Sequence, residues 1–193
     1  MDIIFTRSRD RRDQTLATRQ DGVRVYVPVF GKLDPIPHDL AHYVVERELG
    51  LRDGFWGRVA TGALFGGMHI LDGRQRPHAR ERSRAIIAAH PQGIIFAEVV
   101  VDAVLRAVKG EPQETDVLFI ESPRIPSRTR ADRDALLARL RPAVDAMSAR
   151  WQALAQGETL LVVWPDAPRH PRRPHRLGSR PRPAQRAAVS ATP

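Results

Sequence analysis

Two histidines spaced four residues apart, His38 and His42 in the segment "HDLAH", are the residues of this chain best suited to chemistry. On a helix they lie one turn apart on the same side, where two imidazoles can reach one divalent ion such as zinc, manganese or iron. Asp39 stands where the zinc-metalloprotease motif has its glutamate, but its side chain is one methylene shorter. The spacing therefore predicts a metal pair, and this departure argues against a peptidase.

A metal site needs a third ligand, and Glu46 is too far away to supply it. Eight residues at about 1.5 Å each place Glu46 about 12 Å along the helix axis from His38. Glu46 can instead hydrogen-bond to His42 and orient its ring, and it is with Asp39 a candidate catalytic base. The remaining candidates for the third ligand are His69, Glu98 and Asp102.

A structural interpretation of the same residues needs no metal, and the sequence alone favours it. The two histidines would then border the hydrophobic core, with one of them bonded to a backbone carbonyl or to Glu46. The stripe of Glu98, Asp102 and Arg106 would be a solvated face of its helix, as most charged stripes are.

Alternating apolar residues predict the strands that support this segment. Ile3 and Phe5 indicate a short first strand, and residues 15–19 and 23–29 flank Asp21-Gly22, which is typical of a type I′ hairpin turn. The segment "ETLLVVW" at 158–164 predicts a late strand that returns to the same sheet. We expect a small antiparallel sheet with one buried face.

Helical periodicity accounts for most of the rest. A helix is predicted from Pro35 or Pro37 to Gly50, and a second over the glycine-rich residues 54–68, antiparallel to the first. Residues 94–108 predict a central helix, with a strand as the alternative because of the β-branched run "VVV". Thr129 and Asp132 indicate a helix start, followed by apolar positions at three- and four-residue steps to Leu154, with a kink at Pro142. Four to five helices on the sheet make an α+β fold.

Composition divides the chain into a domain over residues 1–165 and a basic tail over residues 166–193. The tail is rich in proline and arginine, is expected to be disordered, and carries much of the net charge of +9. Its arginines could contact nucleic acid or another polyanion through phosphates. They are Arg169, Arg172, Arg173, Arg176, Arg180, Arg182 and Arg186.

Composition also limits the functional classes. The absence of cysteine excludes disulfides, thiolate catalysis and cysteine-ligated metals. No apolar run is long enough to span a bilayer, and the first ten residues lack the apolar core of a secretory signal. We therefore expect a cytoplasmic protein without membrane partners.

The segments "PHDLAHYVVERELGL", "GFWG" and "VATGA", with the N-terminal "DG" hairpin, resemble a family of small bacterial proteins. The shared features are a "HDLxHxxVE" helix and a "GFxG" turn, and the resemblance covers about the first seventy residues. The family has no established activity, so the resemblance implies element boundaries and a bacterial origin but no mechanism.

Two functions follow as hypotheses. The first is a non-catalytic binding or regulatory module whose basic tail contacts a polyanion. The second is a small metal-dependent hydrolase that uses His38 and His42 as ligands, with Asp39 or Glu46 as base or supporting residue.

Overall fold

The computed structural model describes residues 1–8, 14–28, 36–75, 77–111 and 129–165. Within these ranges the chain forms one five-stranded sheet and five helices, which confirms the α+β prediction. The strands are β1 (Asp2–Thr6), β2 (Gln14–Thr18), β3 (Arg24–Pro28), β4 (His69–Asp72) and β5 (Thr159–Val163). The helices are α1 (His38–Leu49), α2 (Phe55–Thr61), α3 (Ala79–Ala89), α4 (Pro91–Lys109) and α5 (Arg130–Gln152).

The sheet has the order β4-β3-β2-β1-β5, and every neighbouring pair is antiparallel. One face is buried along β1 to β3 and β5, where every second residue points into the core and all of these residues except Thr15 are apolar. Val23, Val25 and Val27 are fully buried, as their alternation predicts. The hairpin and the returning late strand are thus confirmed.

The turn of the hairpin differs from the prediction. A type I′ turn needs positive φ at two central residues, but only Gly22 of the Asp21-Gly22 pair has one, at 78°. Gly22 N–H donates to the carbonyl of Arg19, and Arg19 N–H donates to that of Val23. The loop is therefore a three-residue connection with glycine in the left-handed position, which explains why the dipeptide occurs here.

The second helix is shorter than its apolar pattern suggests, and the segment after it is a strand. α2 ends at Gly62, whose φ of 118° leaves the helical region. The chain then turns and adds β4 to the edge of β3, which the sequence did not reveal. A further helix, α3, follows β4 and spans Ala79–Ala89.

Three helices cover the buried face of the sheet, with α1, α4 and α5 all in mutual contact. α1 ends at Gly50 in the left-handed conformation, as expected. α5 begins with a reciprocal cap between Thr129 and Asp132, and it continues through Pro142. The apolar residues along one face of α5, from Leu137 to Trp151, are buried, so the predicted apolar face packs against the core.

No helix among the described residues is long and apolar enough to cross a membrane. The predicted basic tail, residues 166–193, lies outside the described residues. The same is true of residues 112–128, which join α4 to α5.

Candidate metal centre

His38 and His42 form a pair on α1, as their spacing predicts. Their ring centroids are 4.8 Å apart and their planes meet at 67°. His42 is buried, whereas the His38 side chain is 31% exposed. The pair therefore sits where α1 passes from the core to the surface.

Glu98 of α4 completes a three-residue group with the two histidines. Its Oε2 lies 3.3 Å from Nε2 of His42 and 3.7 Å from Nε2 of His38. One donor atom from each of the three residues lies within 4.8 Å of the others. These residues could hold a metal ion, and of the three candidates for a third ligand the structure brings Glu98 to the pair.

Glu46 holds His42 in place from the opposite side of the ring. Its Oε1 lies 3.0 Å from Nδ1 of His42, and an ionised carboxylate can only accept, so Nδ1 is the donor. The backbone N–H groups of Phe55 and Trp56 donate to Oε1 and Oε2 at 2.7 and 3.0 Å. The predicted contact between Glu46 and His42 is present, and both carboxylate oxygens are engaged.

Gly54 allows this contact because a side chain there would overlap the carboxylate of Glu46. The start of α2 thus presents its first backbone N–H groups directly to a buried acid, which suits the positive end of a helix. The sequence signal for this arrangement was the glycine before Phe55. It was interpreted as a turn and not as room for Glu46.

Nε2 of His42 is the most unusual atom of the site. It is buried, faces Glu98, and has no hydrogen-bond partner among the described residues, because the 3.3 Å approach lacks hydrogen-bond geometry. Buried polar atoms nearly always have a partner, so an unpaired one calls for an explanation. A metal ion on Nε2 would supply that partner.

The charges around His42 favour a positive group at its position. Burial opposes the charged imidazolium, but the contacts with Glu46 and then Glu98 prevail and raise the pKa of His42 to about 9. The same histidine, more than any other group, lowers the pKa of Glu98. Without a metal, His42 is therefore a cation between two carboxylates.

His38 behaves differently from His42. Burial, followed by the charge of His42, lowers the pKa of His38. At neutral pH His38 is therefore a neutral imidazole with a lone pair to offer, and Glu98 is a carboxylate. These are the protonation states that metal ligands require.

The carboxylate of Asp39, the other candidate base, makes its hydrogen bonds to groups outside the three-residue group. Its Oδ2 accepts the hydroxyl of Thr15 at 2.6 Å, and its Oδ1 accepts Leu40 N–H at 3.2 Å. Its backbone carbonyl also accepts the indole N–H of Trp56. Asp39 is buried, and burial raises its pKa to about 6. It ties α1 to β2.

The other predicted ligands, His69 and Asp102, are not among the three residues whose donor atoms converge. His69 is in strand β4, where its ring lies 4.8 Å from that of Tyr26, and not at the end of a helix as expected. Asp102 lies one turn beyond Glu98 and pairs with Arg106 at 2.9 Å, as the stripe on α4 predicts. The tail arginines lie outside the described residues.

Aromatic rings also border the site. The Phe55 ring lies 5.8 Å from the His42 ring and stacks on Phe65 at 5.0 Å. These rings close the protein side of His42, while Glu98, half exposed at 50%, marks the open side. A bound ion would have solvent-facing positions there.

No protein-family model, curated protein or solved structure matches this chain.

Proposed function

We propose that this protein is a metal-binding domain that holds one divalent ion with His38, His42 and Glu98. The observation that carries the proposal is the convergence of three donor groups around Nε2 of His42, which is buried, makes no hydrogen bond among the described residues and lies 3.3 Å from a carboxylate oxygen of Glu98. An ion bound there would take Nε2 as a ligand, with Glu98 and His38 already beside it.

Two imidazoles and one carboxylate suit zinc, iron or manganese, and zinc is the first candidate. This ligand set occurs in zinc sites with an open position and in mononuclear iron sites with several. Calcium and magnesium prefer oxygen ligands alone. The absence of cysteine leaves no softer donor for a competing site.

Glu46 supports the proposal as the acid that orients a ligating histidine. Metal-bound histidines usually donate their second N–H to a carboxylate or carbonyl, which fixes the ring and increases its basicity. With both histidines neutral, the charge of a divalent ion would balance those of Glu46 and Glu98. Binding would displace one proton from His42, so the ion replaces an imidazolium at the same place.

Hydrolysis is a second candidate function, because the exposed side of Glu98 leaves room for a metal-bound water. A metal can lower the pKa of such a water to about 7. Both bases considered from the sequence already accept hydrogen bonds, Glu46 from three donors and Asp39 from Thr15. Binding without catalysis is therefore our first proposal and hydrolysis the second.

The test is metal analysis of the purified full chain, followed by zinc titration of chelator-treated protein. We expect one equivalent of metal, and we expect His42→Ala and Glu98→Gln each to lose more than about 100-fold in affinity, beyond the loss typical of a supporting residue. His69→Ala and Asp102→Asn are matched controls, and both should bind as wild type does.

Two results would overturn the proposal. One is a folded native protein that contains no metal and takes up no zinc, iron or manganese. The other is loss of binding in His69→Ala with retention in Glu98→Gln. A stable metal complex that hydrolyses no ester or phosphoester substrate would leave binding as the function and remove the hydrolase.

Contact between the tail and a polyanion is a separate proposal that rests on composition. Each arginine that neutralises a phosphate adds affinity that weakens with salt and does not depend on the nucleotide sequence. DNA or RNA binding should therefore weaken steeply with salt and disappear when residues 166–193 are deleted. Binding that survives the deletion would contradict it.

A further inference from the structure

Strand β5 forms one edge of the sheet, and its outward backbone groups can be identified from its pairing with β1. Met1 and Trp164 exchange hydrogen bonds through their backbone groups. In an antiparallel pair such residues alternate with residues whose N–H and C=O point away. In the observed register the backbone N–H and C=O groups of Thr159, Leu161 and Val163 therefore point away from β1, toward the open edge of the sheet.

A side-chain contact confirms this direction. The hydroxyl of Tyr43 donates to the carbonyl of Val163 at 3.1 Å, from outside the pairing with β1. A carbonyl has a second lone pair, so this contact leaves room for one more donor. Among the described residues, no strand pairs with this edge.

The two edges of the sheet differ in how they are protected. β4 has an irregular register against β3 and carries an ion pair between Asp72 and Arg24. Bulges and charges of this kind block pairing with another chain. β5, with the sequence "TLLVV", has no charge, proline or register shift. Leu161 and Val163 are each 56% exposed, more than any other large apolar residue described.

We infer that β5 pairs with β5 of a second copy of this chain, in antiparallel orientation about Leu161. The pairing places Leu161 of one copy opposite Leu161 of the other, and Thr159 of each copy opposite Val163 of the other. The backbone N–H and C=O groups of these residues would then bond to each other across the two strands. The two sheets would become one continuous sheet, and the apolar side chains of both edges would cover each other.

The charges at the ends of the strand suit this two-fold arrangement. Arg52 donates to the carbonyl of Pro165, so its guanidinium lies at the C-terminal end of β5. The antiparallel register brings Glu158 of the second copy toward that same end. Opposite charges thus meet at both corners, and no like charges face each other along the strand.

The mass of the full chain across protein concentrations tests the pairing, by light scattering or sedimentation. We expect wild type to rise from the monomer mass of 21.6 kDa toward twice that value. Leu161→Lys should remain at the monomer mass, because two lysines would face each other at the two-fold axis. Leu71→Lys is the matched control, since Leu71 is similarly exposed at 46% on β4, and it should behave as wild type.

A cysteine variant tests the register directly, because the chain has no cysteine of its own. Directly opposed residues of paired strands lie within disulfide distance, so Leu161→Cys should cross-link into a dimer on oxidation, and Leu71→Cys should not. A wild type that stays monomeric at all concentrations would overturn the inference, as would a Leu161→Cys that fails to cross-link.

Discussion

The two buried acids of α1, Asp39 and Glu46, occupy opposite ends of one helix face and have opposite environments. Glu46 accepts two backbone N–H groups and the imidazole of His42. Asp39 accepts one hydroxyl, from Thr15, and the N–H of the next residue. Burial therefore raises the pKa of Asp39 to about 6, whereas Glu46 has the positive partners that a buried charge requires.

The comparison shows that position in a motif does not decide the role of an acid. Asp39 lies inside "HDLAH", where a catalytic residue was expected, yet it secures the helix to the sheet. Glu46 lies outside that motif and supports the histidine that faces the candidate ion. What distinguishes the two acids is which donors the fold brings to each.

The largest effect should come from Glu46→Ala. It leaves the N–H groups of Phe55 and Trp56 and the imidazole of His42 without an acceptor in the core, at a cost of about 4 kcal/mol in the free energy of unfolding. Denaturant unfolding measures this loss. Glu48→Ala, an exposed acid on the same helix, is the control and should change stability little. Equal losses in both variants would contradict the anchoring role of Glu46.

The next largest effect should be the pH dependence of the stability of the metal-free protein, in which His42 and Asp39 act over different pH ranges. Because the pKa of His42 is raised from 6.5 to about 9 in the folded state, its contribution is complete below pH 6.5 and is lost as pH rises through 9. The free energy of unfolding of wild type, measured in the presence of chelator, should show this decline. That of His42→Gln should not. Added zinc should reverse the trend, because the ion competes with the proton.

Asp39 should produce a smaller decline at lower pH. Its folded pKa of about 6 exceeds its ordinary value of 3.8, so its contribution is complete below pH 3.8 and is lost as pH rises through 6. Two pKa units correspond to about 3 kcal/mol. Asp39→Asn should flatten the stability profile over this range, and Asp145→Asn, at an exposed position, should not. An unchanged profile in Asp39→Asn would show that Asp39 is ionised in the fold.

The parts of the fold that were predicted correctly are those where local pattern and packing agree. The alternating valines of β3 and the capped, periodic α5 are examples, because each pattern matches one buried face. The prediction of a helix up to residue 68 was wrong, since the apolar residues after Gly62 suit a helix while the positive φ of that glycine ends one. The wrong position of His69 followed from that error.

The site was predictable only in part. Helical spacing alone pairs the histidines, and reach along the helix makes Glu46 a support for His42 rather than a ligand. Spacing could not choose Glu98 over Asp102, because both lie on one side of α4 and the choice depends on how that helix meets α1. The contact of Asp39 with Thr15 joins residues 24 positions apart and leaves no local signal.

Gly93, near the start of α4, lets this helix pass very close to Asp53, in the turn between α1 and α2. Even a methyl group at position 93 would collide with Asp53. A larger residue there would therefore push α4 away from that turn. For the metal site that we propose, the approach of Glu98 to the histidines thus depends on a missing side chain more than one helical turn away.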